Sequence, residues 1–71
     1  MNSDVDLLKT IGNNIRKFRN EKKISQQELA DITNIAKSTV QRIESGKLNP
    51  TIVMLKNIAS TLEVELEDLI K

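Results

Sequence analysis

SQQELADITNIAKSTVQRIESG, residues 25–46, decides how this chain folds. Ser25-Gln26-Gln27-Glu28 has the form of a capping box. Ser25 can accept from the N–H of Glu28, and Glu28 can reach back to the N–H of Ser25. A short helix should follow, burying Leu29 and Ala30, with Ile32 as a third candidate. The segment TNI then breaks the pattern, and Asn34 tolerates a left-handed turn. A further helix begins without a good cap, because Ala36 stands where Ser, Thr, Asp or Asn would serve best. Val40 and Ile43 form its inner stripe, and Gly46 stops it. At 100° per residue, Ser38, Gln41, Arg42 and Ser45 point away from that stripe, with Lys37 beside them in the first turn. Two short helices joined by a tight turn thus expose a face of cations, amide and hydroxyls.

The flanking sequence is also helical in its period. Leu8, Ile11, Ile15 and Phe18 predict a first helix from about Val5 to Lys22, ended by KKIS. KLNPT reads as a loop, with Pro50 marking the approach to a fourth helix striped by Leu55, Ile58, Ala59 and Leu62. A last short helix carries Leu66, Leu69 and Ile70. No alternating strand pattern, internal repeat or flexible linker interrupts this order. The expectation is an all-α protein of five helices, a single domain over residues 1–71.

The chain has 71 residues, no cysteine and no histidine. A domain this short buries only about 60% of its unfolded surface, so it depends on efficient packing or a partner chain. Without Cys or His, the usual zinc ligands and the commonest general base are missing, and the composition suits a reducing cytoplasm. No signal peptide or membrane span is legible. The formal net charge of +1 conceals a split. Between Lys9 and Lys47, nine cations face four anions, while Asp4, Asp6, Glu63, Glu65, Glu67 and Asp68 make both ends acidic. A basic body with acidic ends suits a polyanion partner, although a solvated surface explains charge runs about as often. Phe18 is the sole aromatic residue, which argues against binding single strands by base stacking.

The ordered motifs IGNNIRKFR, SQQELA, STVQRIESGK and NPTIVMLKNIASTLEVELEDLI resemble the phage-repressor and Cro-like (lambda-repressor-like, XRE-type) helix-turn-helix family over nearly the whole chain. Each motif is weak alone; their order is specific. The resemblance implies a five-helix lambda-repressor-like DNA-binding domain. Its helix-turn-helix, about residues 25–46, is formed by helices 2 and 3, with the third helix in the major groove of double-stranded DNA. Position by position, Lys37, Ser38 and Arg42 fall where base readers sit, and Gln41 is a weaker candidate; Arg and Lys suit guanine edges, and Ser can donate or accept. The bland alternative is a merely hydrophilic helix face. Gln26 falls where the family's Gln donates to a DNA phosphate and braces the third helix. Ser25, Ser45, Lys47, Asn49 and Arg16 are further phosphate candidates, fixing register rather than sequence. Arg19 and Glu44 occupy positions that family members often pair, which implies a buried structural ion pair between the first and third helices.

Three positions depart from the family pattern: Ala36 for a capping Ser or Thr, Asn34 for a turn Gly, and Glu63 for a Gly ending the fourth helix. The acidic EVELED could suggest metal or acid–base chemistry, but Glu65, Glu67 and Asp68 equally suit a helix's first turn. Neither an enzyme activity nor a cofactor or metal is expected. The resemblance implies a transcriptional regulator that occupies a near-palindromic operator as a homodimer, with Val53, Leu66, Leu69 and Ile70 as the candidate dimer surface. The other reading of the C-terminal three is that they complete the monomer core. Counting helices leaves no room for a ligand domain, which suggests a stand-alone repressor or restriction–modification controller. The alternatives are an antitoxin that also binds its own operator, and a protein-binding adaptor.

Overall fold

The computed structural model describes residues 3–71. They form α1 (Ser3–Glu21), α2 (Gln26–Thr33), α3 (Lys37–Glu44), α4 (Ile52–Leu62) and α5 (Leu66–Ile70), with no strand among the described residues. The all-α, five-helix expectation holds. α1 starts earlier than the apolar period suggests; Asp4 and Asp6 lie in its first turn, where the helix dipole favours negative charge.

Every helix contributes to one core: Ile11 and Ile15 from α1, Leu29 and Ala30 from α2, Val40 and Ile43 from α3, Leu55, Ile58, Ala59 and Leu62 from α4, and Leu69 from α5. Ile32 does not join them. It is 62% exposed, because the narrow buried stripe of the short α2 is filled by Leu29 and Ala30. Leu69 is fully buried and so completes the monomer core rather than lying on a dimer surface, whereas Leu66 is only partly buried against that core. Val53 and Ile70 stay 64% and 45% exposed. Asn14 on α1 clamps the end of α5, its side-chain amide donating to the carbonyls of Leu69 at 2.9 Å and Lys71 at 3.0 Å.

The helix ends share one device. α1, α2, α3 and α4 are each followed by a left-handed residue: Lys23, Asn34, Gly46 and Glu63, with φ of 58°, 57°, 74° and 59°. Three of these are not glycine, and a side chain in that conformation costs about 1–2 kcal/mol. What offsets the cost is the residue that follows. Ile24, Ile35 and Val64 pack against the core, while their N–H groups donate back to Arg19, Ala30 and Ala59. Each turn therefore buries an aliphatic side chain and satisfies a terminal carbonyl together. Glu63 and Asn34 are the departures from Gly anticipated in the sequence; Lys23 is a third that its sequence does not signal. Lys22 also hydrogen-bonds Glu63, and that bond, aided by its positive charge, holds the Glu63 carboxyl below the usual carboxylate range. The small stabilisation from this exposed pair is present above the ordinary carboxylate pKa and lost as pH falls through the lowered value.

The helix starts divide. Ser25 and Glu28 form the expected capping box, with bonds of 3.0 and 2.9 Å. Thr51 caps α4 by accepting from the Met54 N–H at 3.1 Å, and Asp68 accepts from the Glu65 N–H at 2.9 Å ahead of α5. No side chain caps α3 at Ala36. Its position is set by packing, and α1 approaches it closely at Gly12. A Cβ there would lie 2.4 Å from the Glu44 carbonyl oxygen and 2.6 Å from that of Ile43. Gly12→Ala adds about 1 kcal/mol of helix propensity to α1 but drives a methyl into two rigid carbonyls. The clash should win, leaving the variant about 1–3 kcal/mol less stable in urea denaturation. An equal or higher midpoint would mean that α3 can shift freely away from α1.

Candidate nucleic-acid interface

α3 has only eight residues, too few to hold a helix alone in water, where roughly 12–15 are marginal. It is held by its inner stripe of Val40 and Ile43 and by Glu44, the one buried charged residue among those described. The Glu44 side chain is 1% exposed. Arg19 meets its carboxylate with two N–H groups, Nε at 2.7 Å and Nη2 at 3.1 Å, and its Nη1 donates to the Ile24 carbonyl at 2.9 Å. Gln26 donates its amide to Glu44 Oε1 at 3.0 Å. Arg16 donates to the Glu44 main-chain carbonyl at 3.0 Å, and its Nε lies 3.8 Å from Oε1. One carboxylate thus ties α1, the α1–α2 turn, the start of α2 and the end of α3. No buried side-chain nitrogen or oxygen among the described residues lacks a partner.

The expected Arg19–Glu44 pair is therefore present and buried. Gln26 braces α3 by bonding Glu44, so it is not merely a solvent-exposed member of the capping box. Arg16 belongs to the same cluster, a placement that its helical spacing alone does not reveal. Ser25 caps α2 through its hydroxyl. On the outer side, Lys37, Ser38, Gln41 and Arg42 are all exposed. Ser45 is exposed and donates its hydroxyl to the Arg42 carbonyl at 3.2 Å; that carbonyl also accepts from the Lys47 N–H at 2.9 Å. Lys47 and Asn49 are exposed in the loop that leads to α4. The structure brings Arg16, Arg19, Gln26 and Glu44 together at one end of α3, with Ser45 and Lys47 following. Lys37 and Ser38 lie at its other end.

Two contributors escape a reading of the sequence for polar motifs. Gly12 admits α3 close to α1; a glycine inside an otherwise regular helical period is the signal for it. Lys9 lies over Gly46, where an added Cβ would meet its Cγ at 3.1 Å, and so extends the basic surface to the α3–α4 loop. Among the described residues, no group of three or more His, Cys, Asp or Glu is placed to hold a metal ion, and no helix is long and apolar enough to cross a membrane.

A family model described as helix-turn-helix, HTH_3, matches residues 15–69. The transcriptional regulator SlrR of Bacillus subtilis (strain 168) is 42% identical over 60 residues, covering 83% of this chain and 40% of SlrR. Thus the chain spans well under two thirds of that relative. Among solved structures, the biofilm regulator SinR in complex with DNA superposes with a TM-score of 0.82 at 35% identity, covering 86% of this chain and 98% of that one. The restriction–modification controller protein C.AhdI from Aeromonas hydrophila gives 0.84 at 31% identity, covering 87% and 94%. These are proteins of DNA regulation rather than enzymes.

The Glu44 cluster is testable by truncation. Glu44→Ala leaves Arg19 buried without its counter-charge, and the loss should be about 3–5 kcal/mol in chemical denaturation. A loss below about 1 kcal/mol would mean that the carboxylate does not hold α1 and α3 together.

Proposed function

The chain belongs to the helix-turn-helix family HTH_3, and on that premise we propose that it is a transcriptional regulator that acts by occupying specific double-stranded DNA. α3 lies in the major groove. Lys37, Ser38 and Arg42 read base edges, with Gln41 assisting, while Gln26, Ser25, Ser45, Lys47, Asn49 and Arg16 engage backbone phosphates. The observation that carries this reading is the contrast between the two faces of α3: its inner face is locked by the Glu44 cluster, while Lys37, Ser38, Gln41 and Arg42 all face solvent. A helix held at a fixed angle with its polar side chains outward is what base readout requires. The SinR–DNA complex, whose chain matches this one at 35% identity, supports the same reading.

The partner is a second copy of the chain on a near-palindromic site. Val53 and Ile70 present exposed apolar side chains, and Leu66 lines an open groove with Lys56, Ala59, Ser60, Val64 and Glu65. Leu69 supports this surface from beneath rather than lying on it. Nothing in the structure favours the toxin-binding alternative.

Selection from a random duplex pool should yield one sequence with two-fold symmetry, its half-sites about 10 bp apart or a multiple of that. Affinity for it should fall steeply with salt. Binding with no preferred sequence after selection would sink the proposal, and an asymmetric single site would remove the dimer. Arg42→Ala should relax preference at one or two base pairs by about 1–3 kcal/mol. Uniform weakening across all sequences would make Arg42 a phosphate contact instead.

A further inference from the structure

One face of α1 runs past the C-terminal end of α3. Arg16 donates to the Glu44 carbonyl, and Gly12 faces the carbonyls of Ile43 and Glu44. Lys9 lies seven residues before Arg16, on the same face and roughly 10 Å along the helix. It packs over Gly46. A Cβ there would sit 3.1 Å from the Lys9 Cγ and 3.3 Å from its Cα and main-chain nitrogen. Gly46, at a φ of 74°, therefore turns the chain and also leaves room for the Lys9 stem.

The stem is packed, but the ammonium has no partner in the fold. The last four carbonyls of a helix are the ones that need outside donors. In α3 all four have them without Lys9. Gln41 accepts from the Ser45 N–H at 3.0 Å, Arg42 from the Lys47 N–H at 2.9 Å, Ile43 from the Gly46 N–H at 3.1 Å, and Glu44 from Arg16 at 3.0 Å. Among the described residues, neither Lys9 nor Lys47 pairs with a carboxylate, and both are exposed. Two lysines from distant parts of the chain thus flank Gly46. Their repulsion works against the fold, and an anion would relieve it.

We propose that Lys9 is a further DNA-contacting residue, which neutralises a backbone phosphate beside the α3–α4 loop from outside the helix-turn-helix. The inference rests on the reading of the chain as DNA-binding. Lys9 precedes residues 15–69, the segment matched as helix-turn-helix, so that match assigns it nothing. An ammonium on a long stem is a point charge with three donors, suited to a phosphate oxygen. Packing on Gly46 restrains the stem, so less freedom is lost when the phosphate arrives. Such a contact adds affinity and salt dependence without base preference.

The full chain, titrated onto the selected duplex over a range of salt concentrations, tests this. Lys9→Gln should weaken binding about threefold to tenfold near 0.1 M salt and reduce the magnitude of the log–log slope by about 0.9. Its ranking of single-base variants of the site should not change. Lys9→Arg should restore both affinity and slope. Lys71→Gln removes the same charge from the end of α5 and should leave the slope as it is. Phosphate-ethylation interference should lose one position per half-site in Lys9→Gln. An unchanged slope in Lys9→Gln, or an equal reduction in Lys71→Gln, would overturn the Lys9 contact while leaving the DNA-binding reading intact. Absence of salt-dependent binding to any duplex would overturn both.

Discussion

The Glu44 carboxylate is the point on which the rest of this structure depends. A buried charge without partners would cost several kcal/mol, so its burial is possible only because Arg19 and Gln26 converge on it. The same bonds fix the geometry. Arg19 comes from α1 and also holds the α1–α2 turn at Ile24, and Gln26 begins α2. The net stability of such a pair against an apolar substitute is small. What the cluster supplies is direction: a planar guanidinium facing a carboxylate admits few orientations, and α3 inherits the one that satisfies both.

That constraint matters because the second and third helices are too short to define themselves. α2 and α3 have eight residues each, and α3 lacks a side-chain cap. Their stability is borrowed from the core beneath them and from the turns that close them. The left-handed residues at Lys23, Asn34, Gly46 and Glu63 reverse the chain, and Ile24, Ile35 and Val64 then return to the core. Local strain at these turns is offset by burial one residue later. The chain can thus reverse within a few residues after each of the first four helices and still form one continuous core without a disulfide.

Division of labour between the faces of α3 follows from the same physics. Val40, Ile43 and Glu44 are committed inward, and Gly12 lets the α1 backbone approach their carbonyls. Lys37, Ser38, Gln41 and Arg42 are left to solvent. The backbone of α3 is therefore held in place while its outer polar side chains stay uncommitted to any partner within the fold. The basic surface reaches beyond the helix itself, through Arg16 on α1 and through Lys9 and Lys47 near Gly46.

Much of the fold is written locally. Helix periods, the Ser25–Glu28 capping box, the turn at Asn34 and the stop at Gly46 each depend on residues a few positions apart, and so the sequence alone determines them. The outer face of α3 is legible for the same reason, because 100° per residue separates it from Val40 and Ile43. Ile32, Leu66 and Leu69 were not decided this way. Whether an aliphatic residue on a short helix is covered depends on what lies opposite, and only the assembled core left Ile32 in water while burying Leu69. The convergence of Arg16, Arg19 and Gln26 on Glu44 spans up to 28 residues of sequence. No local pattern encodes that meeting. It exists because three helices pack at fixed angles, and a buried carboxylate at their junction must be satisfied from whichever sides they present.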